Sequence, residues 1–139
     1  MMSDATFEVR PIGRVESPLL DRAAAPKQGD EGAPETTIVF DDGVRGGLRG
    51  IDVGAQLLVL TWLDQGDRTV LAVHPRGDTS RPEVGVFSTR SPDRPNPIGL
   101  HRVTVLAVDG LRLRVSDLEA VNGTPVLDVK PVLGQIGDR

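Results

Sequence analysis

The chain of 139 residues contains no cysteine, which excludes disulfide bonds and thiolate metal sites. It also lacks long apolar runs. No segment approaches the roughly 20 apolar residues that cross a membrane, and the first residues have no apolar centre of signal-peptide length. These absences predict a soluble, cytoplasmic protein without membrane contact. The length fits one domain, spanning residues 1–139.

Aromatic residues are scarce, with three Phe, one Trp and no Tyr. Proteins that hold single-stranded RNA often stack bases on aromatic rings, so a large RNA-binding surface is not favoured. The formal charge of −4 argues in the same direction, because RNA is held mainly through its phosphates. The local charge differs from this global charge, because arginines are concentrated in the central third of the chain. These arginines either form an anion site or lie on a solvated face. They are Arg76, Arg81, Arg90, Arg94 and Arg102.

The common nucleotide-binding loops are missing as well. No segment matches a Gly-x-Gly-x-x-Gly loop after a strand, a P-loop, a His-Glu-x-x-His helix or a nucleophile elbow. The usual nucleotide-binding folds are therefore excluded, although a nucleotide can still be bound by another route. The sequence predicts no metal site.

The chain does contain many short apolar or alternating segments, separated by turns rich in its 16 glycines and 11 prolines. This pattern is typical of strands, and no amphipathic helix of three turns is present. We therefore predict an all-β fold, a small closed or nearly closed β-barrel with long loops and little helix. Residues 21–34 are predicted as a long loop, 44–51 as a turn or helical bend, and Asp109-Gly110 as a hairpin turn. The predicted strands are 7–16, 36–40, 55–63, 70–74, 84–88, 101–108, 111–115 and 126–131.

Residues 85–100 combine three prolines with two arginines, Arg90 and Arg94. Each proline fixes its own φ and favours extended geometry in the residue before it, so this loop loses few conformations on folding. Polar groups on a rigid loop are positioned before a ligand arrives. The segment therefore indicates an anion or nucleotide site, with a stiff turn between strands as the alternative.

This loop and the run 117–131 together resemble the TsaA-like (TrmO-type) methyltransferase family. Matching features follow the family's order from about Phe7 to Leu133. They are Ile12-Gly13, Ser17-Pro18, Pro26-Lys27-Gln28, Val44-Arg45-Gly46, the loop 85–100 and Asn122-Gly123-Thr124-Pro125. The resemblance implies a dimeric β-barrel enzyme that uses S-adenosylmethionine. It also implies methylation of N6 of a threonylcarbamoyl-modified adenosine in the anticodon loop of tRNA.

The resemblance further implies a set of cofactor-binding residues. Arg90 is the candidate partner of the cofactor carboxylate, Leu100 an apolar wall, and 122–125 a turn that approaches the ligand closely. The segment 26–28 would close over the site from the long loop. The full set is Pro26, Lys27, Gln28, Asp64, Gln65, Arg90, Leu100, Asn122, Gly123, Thr124 and Pro125.

One departure from the family concerns the acceptor. Relatives commonly carry His-Gln after the core strand, whereas this chain has Asp64-Gln65. An exocyclic amine of adenine is a poor nucleophile until its proton can leave, so a carboxylate base would assist, with Asp64 and Asp93 as candidates. The alternative for each carboxylate is a purely structural role in capping a turn. A small-molecule or other RNA acceptor, or a non-catalytic module that binds S-adenosylmethionine, remain open alternatives.

Overall fold

Six antiparallel strands close into a barrel in the computed structural model, which describes residues 4–18 and 35–134. The order around the barrel is β1-β2-β7-β6-β3-β8, and β8 pairs with β1 to complete the ring. A separate two-stranded sheet, β4-β5, lies outside it. The predicted small β-barrel is confirmed. The strands are β1 (Gly13–Glu16), β2 (Thr36–Phe40), β3 (Gln56–Trp62), β4 (Ala72–Val73), β5 (Val84–Gly85), β6 (Ile98–Asp109), β7 (Arg112–Ser116) and β8 (Pro125–Pro131).

The barrel interior follows from the two-residue period of its strands. Successive side chains on a strand point to opposite faces, so alternating positions meet inside. In β6, for example, Gly99, His101, Val103 and Val105 are buried while the residues between them are more exposed. The apolar core contains Val15, Ile38, Phe40, Leu57, Val59, Val103, Val105, Leu113, Val115, Leu118, Ala120 and Val126.

The β6–β7 hairpin is confirmed, although its turn lies one residue later than predicted. Asp109 pairs with Arg112, so the loop consists of Gly110 and Leu111. Gly110 has φ of 60°. A positive φ at the first central residue is the type II′ geometry that matches strand twist, and it requires glycine there.

Several strands are shorter than predicted. In the segment 7–16 only Gly13–Glu16 is strand, because Pro11 has no N–H for a ladder. In 70–74 and 84–88 only two residues each are strand, and Val86–Ser88 forms a 3₁₀ helix instead. The carbonyl of Val86 accepts a hydrogen bond from the N–H of Thr89, so this carbonyl does not pair with a neighbouring strand.

Helix is limited to short 3₁₀ turns in the described residues. The predicted bend at 44–51 is confirmed as the 3₁₀ helix Asp42–Leu48, and the others are Pro75–Gly77 and Val86–Ser88. In the part of the chain that the structure describes, no helix has the length and apolar character needed to cross a bilayer. The predicted loop 21–34 lies outside the described residues.

Candidate functional site

A cleft of about 1340 Å³ opens at one end of the barrel. Small-molecule sites usually measure about 300–1,000 Å³, so this cleft has room for a cofactor and part of a second molecule. Its walls come from the segment between β3 and β6, from the first residues of β6, and from the segment before β8. The lining includes six predicted site residues: Asp64, Gln65, Arg90, Asp93, Leu100 and Thr124.

The strand order explains why these residues meet. Strands β3 and β6 are neighbours in the barrel, and Trp62 at the end of β3 pairs with Ile98 at the start of β6. The intervening segment 63–97 therefore leaves and re-enters the barrel at one mouth. It carries the β4-β5 sheet and most of the loop 85–100, called the proline-rich loop below. It builds most of the cleft without adding a barrel strand.

Arg94 holds the proline-rich loop in shape. Its Nη1 donates to the carbonyls of Thr89 at 3.0 Å and Ser91 at 2.9 Å, and its Nη2 donates to the carbonyl of Val86 at 2.9 Å. A guanidinium can satisfy three carbonyls because it presents five N–H donors in a fixed plane. Arg94 therefore supports the loop, and Arg90 stays the candidate ligand-binding arginine of this segment.

Arg68 secures the same loop from the other side. Its Nε donates to the carbonyl of Pro95 at 2.7 Å and its Nη2 to Oδ1 of Asn96 at 3.0 Å. The guanidinium also lies over the ring of Trp62, 5.3 Å from its centroid, which is within cation–π range. The loop is thereby tied to the end of β3.

Arg90 is exposed on the cleft wall. Its Nη1 lies 3.5 Å from the carbonyl oxygen of Leu100, at the long limit of a hydrogen bond. Within the described residues no acidic side chain forms an ion pair with it, so most of its donors can serve an anionic ligand. Leu100 beside it is 41% exposed and supplies apolar surface.

The two candidate bases differ in their contacts. Oδ1 of Asp93 accepts the backbone N–H of Asp67 at 2.9 Å and so caps the turn that follows β3. Hydrogen bonds from the hydroxyl and the N–H of Thr69 hold the pKa of Asp67 below its usual value in that same turn. Asp64 is exposed on the cleft wall. The capping alternative therefore describes Asp93 and not Asp64.

The predicted turn 122–125 is divided between two surfaces. Thr124 is 3% exposed and lines the cleft, where its hydroxyl donates to the carbonyl of Val121 at 2.7 Å. Gly123 has φ of 87°, as the third residue of a type II turn requires. Asn122 and Gly123 line a second groove of about 530 Å³ on the β1 side, where Oδ1 of Asn122 accepts the N–H of Ser17. Pro125 lines neither space.

The remaining predicted cofactor residues, Pro26, Lys27 and Gln28, lie outside the described residues. Of the five central arginines, four line the cleft and Arg102 does not; it lies on the outer face of β6 and donates to Oε1 of Gln56 at 2.7 Å. Four acidic residues line the cleft as well, so its formal charge is balanced. They are Asp64, Glu83, Asp93 and Glu119.

Sequence reasoning missed a polar chain at the base of the cleft. Nε2 of His101 lies 2.7 Å from Oγ1 of Thr61, and its Nδ1 lies 2.6 Å from Oε1 of Glu119. His101 is 4% exposed and Thr61 is fully buried. The signal was available in the sequence, because His101 shares the inward face of β6 with Val103 and Val105.

Comparisons with known proteins agree on one family. The model of the tRNA-methyltransferase O N-terminal domain matches residues 14–137. A probable S-adenosyl-L-methionine-binding protein of Methanothermobacter thermautotrophicus is 43% identical over 130 residues, covering 94% of this chain and 93% of that protein. An S-adenosyl-L-methionine-binding protein of Archaeoglobus fulgidus is 43% identical over 122 residues, covering 88% of this chain and 86% of that protein.

A solved structure resembles the whole barrel. TrmO from Pseudomonas aeruginosa matches with a TM-score of 0.72 and 28% identity over 93% of this chain. The chain spans 57% of that TrmO chain, which is less than two thirds of it.

Proposed function

Because the chain belongs to the family of tRNA-methyltransferase O N-terminal domains, we propose that it binds S-adenosylmethionine in the cleft and methylates tRNA. The single observation that supports this most is the cleft itself. Arg90 and Leu100 from the loop 85–100 and Thr124 from the distant segment before β8 line one space. A space of this size suits a nucleoside cofactor beside a nucleotide base.

The residues present fit such a cofactor. Arg90 offers charged N–H donors to a carboxylate, which is the pairing that a guanidinium favours. Phe87, Ile98 and Leu100 are exposed apolar side chains on the cleft wall and suit the apolar faces of adenine and ribose. S-Adenosylmethionine, when bound, supplies a methyl group that its sulfonium already activates.

The protein then has mainly to align the acceptor and exclude water. The clamps made by Arg94 and Arg68 fix the loop that carries Arg90, so the binding groups are positioned in advance. Arg76 and Arg81 line the same cleft and suit the phosphates of an RNA strand.

For the acceptor atom we propose N6 of threonylcarbamoyl-modified adenosine in the anticodon loop, with Asp64 as the base. The amine must lose its N–H proton as the new N–C bond forms, and a carboxylate beside it can take that proton. Asp64 suits this role better than Asp93, whose Oδ1 caps the turn at Asp67.

A homodimer working in the cytoplasm completes the proposal. Leu71 is 65% exposed and Phe87 80% exposed, and large apolar side chains in water favour contact with a second molecule. Analytical ultracentrifugation tests the dimer: Leu71→Ser, outside the cleft, should weaken association, and a monomeric wild-type protein at micromolar concentration would reject it.

The decisive experiment is methyl transfer from labelled S-adenosylmethionine to tRNA taken from cells that lack this modification. Label in the threonylcarbamoyl adenosine after nuclease digestion supports the proposal, and tRNA without the threonylcarbamoyl group is the matched control. In the same assay Asp64→Asn should lower kcat much more than it raises KM. Label on another nucleoside would reject the N6 acceptor while keeping the tRNA methyltransferase.

Cofactor binding is tested by calorimetry with a pair of arginine variants. Arg90→Ala should weaken the binding of S-adenosylmethionine about tenfold or more, since a charge-assisted hydrogen bond contributes about 1.5–3 kcal/mol. Arg102→Ala removes an equal charge from the outer face of β6, outside the cleft, and should leave affinity nearly unchanged. Equal losses in both variants would reject Arg90 as the carboxylate partner.

A second candidate function is a non-catalytic binding module for S-adenosylmethionine. The names of the relatives favour it, because they describe binding and no reaction. Tight binding of the cofactor with no label in total RNA or in small metabolites would select this function over the first.

A further inference from the structure

The polar chain at the base of the cleft ends in an oxygen that has no hydrogen-bond partner among the described residues. Oε1 of Glu119 accepts from Nδ1 of His101, whereas Oε2 is buried and no atom of the described residues forms a hydrogen bond with it. The Glu119 side chain is 12% exposed, and both residues line the cleft. A buried polar atom without a partner is costly, so it marks a place where a ligand atom belongs.

Three features fix the direction of this carboxylate. His101 is held at its other nitrogen by Oγ1 of Thr61, so the imidazole cannot turn without breaking a bond. A register shift between Leu60 and Thr61 in the β3–β8 pair interrupts the ladder beside that threonine, as bulges often do where a side chain is re-aimed. Gly99 leaves the space that Thr61 and His101 occupy. The acceptor is therefore positioned before a ligand arrives.

The charge of this chain of residues defines the ligand group. A carboxylate only accepts hydrogen bonds, so Nδ1 of His101 carries the proton that it donates to Glu119. Nε2 of His101 lies 2.7 Å from Oγ1 of Thr61, so both ring nitrogens are engaged within the chain and Oε2 of the carboxylate is left to accept from a ligand. A partner that carries both an N–H and a positive charge satisfies the oxygen and neutralises the charge.

We propose that Oε2 of Glu119 binds the α-ammonium group of the methyl donor, an inference that rests on the proposed function. The sulfonium of that molecule is positive but has no N–H, and its adenine amino group has N–H but no charge. The α-ammonium has both. Glu119 is thus a cofactor-binding residue, and His101 and Thr61 are positioning residues for it.

The experiment compares two ligands on the wild-type protein by calorimetry. The ligands are S-adenosylhomocysteine and its deaminated counterpart, in which hydrogen replaces the α-amino group. We expect the deaminated ligand to bind about 10- to 100-fold more weakly, the range for a hydrogen bond to a charged group. Equal affinity for the two ligands overturns the inference, and this measurement needs no variant to fold.

Glu119→Gln then assigns the preference to one residue. This variant should lose affinity for S-adenosylhomocysteine until it binds both ligands about equally. Glu83→Gln is the matched control, because it removes an exposed carboxylate from the same cleft and should change both affinities by the same small factor. A Glu119→Gln protein that keeps the wild-type ratio overturns the inference.

The two levels of the proposal fail differently. A wild-type protein that binds neither S-adenosylmethionine nor S-adenosylhomocysteine overturns the proposed function and the inference with it. A wild-type protein that binds both ligands with normal strength but no preference for the amino group overturns the inference alone. Thermal unfolding of each variant, measured alongside, checks that the barrel is intact.

Discussion

Gly99 lies where a side chain would strike the polar chain at the base of the cleft, so Gly99→Ala should be strongly destabilising. A Cβ at this position would overlap Oγ1 of Thr61 and lie 2.8 Å from Nε2 of His101. Both groups are almost fully buried, which leaves them little room to retreat. The added methyl therefore breaks the hydrogen bond between Thr61 and His101.

The magnitude follows from three contributions. Inserting a methyl group into a packed interior costs about 1–3 kcal/mol. Leaving a buried polar group unpaired costs about another 1–3 kcal/mol. Replacing glycine by alanine restricts the unfolded chain and returns about 0.4–1 kcal/mol. The net loss in free energy of unfolding is about 1–6 kcal/mol, with a central value of about 3 kcal/mol.

Gly85→Ala is the matched control. The nearest heavy atom to a Cβ at Gly85 is the carbonyl oxygen of Leu71 at 3.9 Å, an ordinary contact, and φ of −60° suits any residue. This variant should fall within about 0.5 kcal/mol of the wild type.

Urea unfolding at 25 °C measures both variants, with the fluorescence of Trp62 as the signal, since it is the only tryptophan in the chain. Trp62 follows Thr61 directly on β3 and therefore reports on the affected end of the barrel. If Gly99→Ala is as stable as Gly85→Ala, the close packing described around Gly99 is refuted.

Three further predictions concern the loop and the barrel surface. Gly66→Ala would overlap the carbonyl oxygen of Pro92, a backbone atom that cannot rotate away, so we expect a lower melting temperature and weaker S-adenosylmethionine binding. Arg94→Lys loses the planar donors that bridge three carbonyls and should cost about 2 kcal/mol in urea unfolding. The hydrogen bond from Arg112 lowers the pKa of Glu16 from its ordinary value of 4.5, so this contact stabilises the protein fully above that pH and is lost as the pH falls through the lowered pKa. The difference in melting temperature between wild type and Glu16→Gln should therefore be present at pH 7 and vanish in strong acid; a constant difference across pH would contradict it.

The barrel was predictable because its strands follow a two-residue period. Alternating apolar positions such as Ile38 and Phe40 can be read directly from the sequence, and the strand Thr36–Phe40 has the predicted bounds. The segment 63–97 was less predictable, since its shape depends on contacts between side chains and distant backbone. The hydrogen bond from Arg94 to the carbonyl of Val86 is one such contact, and no local sequence pattern predicts it.

The candidate site was predictable in part for a related reason. Motif residues such as Arg90 and Thr124 could be named because the family resemblance marks them, and the structure then brings both to one cleft. His101 and Glu119 were missed because their importance depends on pairing across 18 residues of sequence. A histidine on the inward face of a strand indicates a buried polar contact, but only the fold identifies the partner.

The distribution of polar groups inside the barrel links stability to the proposed function. Most inward positions are Val, Leu or Ile, which pack without hydrogen-bond requirements. At the mouth near the cleft, Thr61, His101 and Glu119 replace that apolar layer. Replacing a buried ion pair by apolar residues of similar volume often leaves the stability of a protein unchanged or raises it. Folding alone therefore does not explain why these polar residues are buried here. Proteins depart from the rules of core packing mainly where they bind or react, and this end of the barrel is where the described structure departs most clearly.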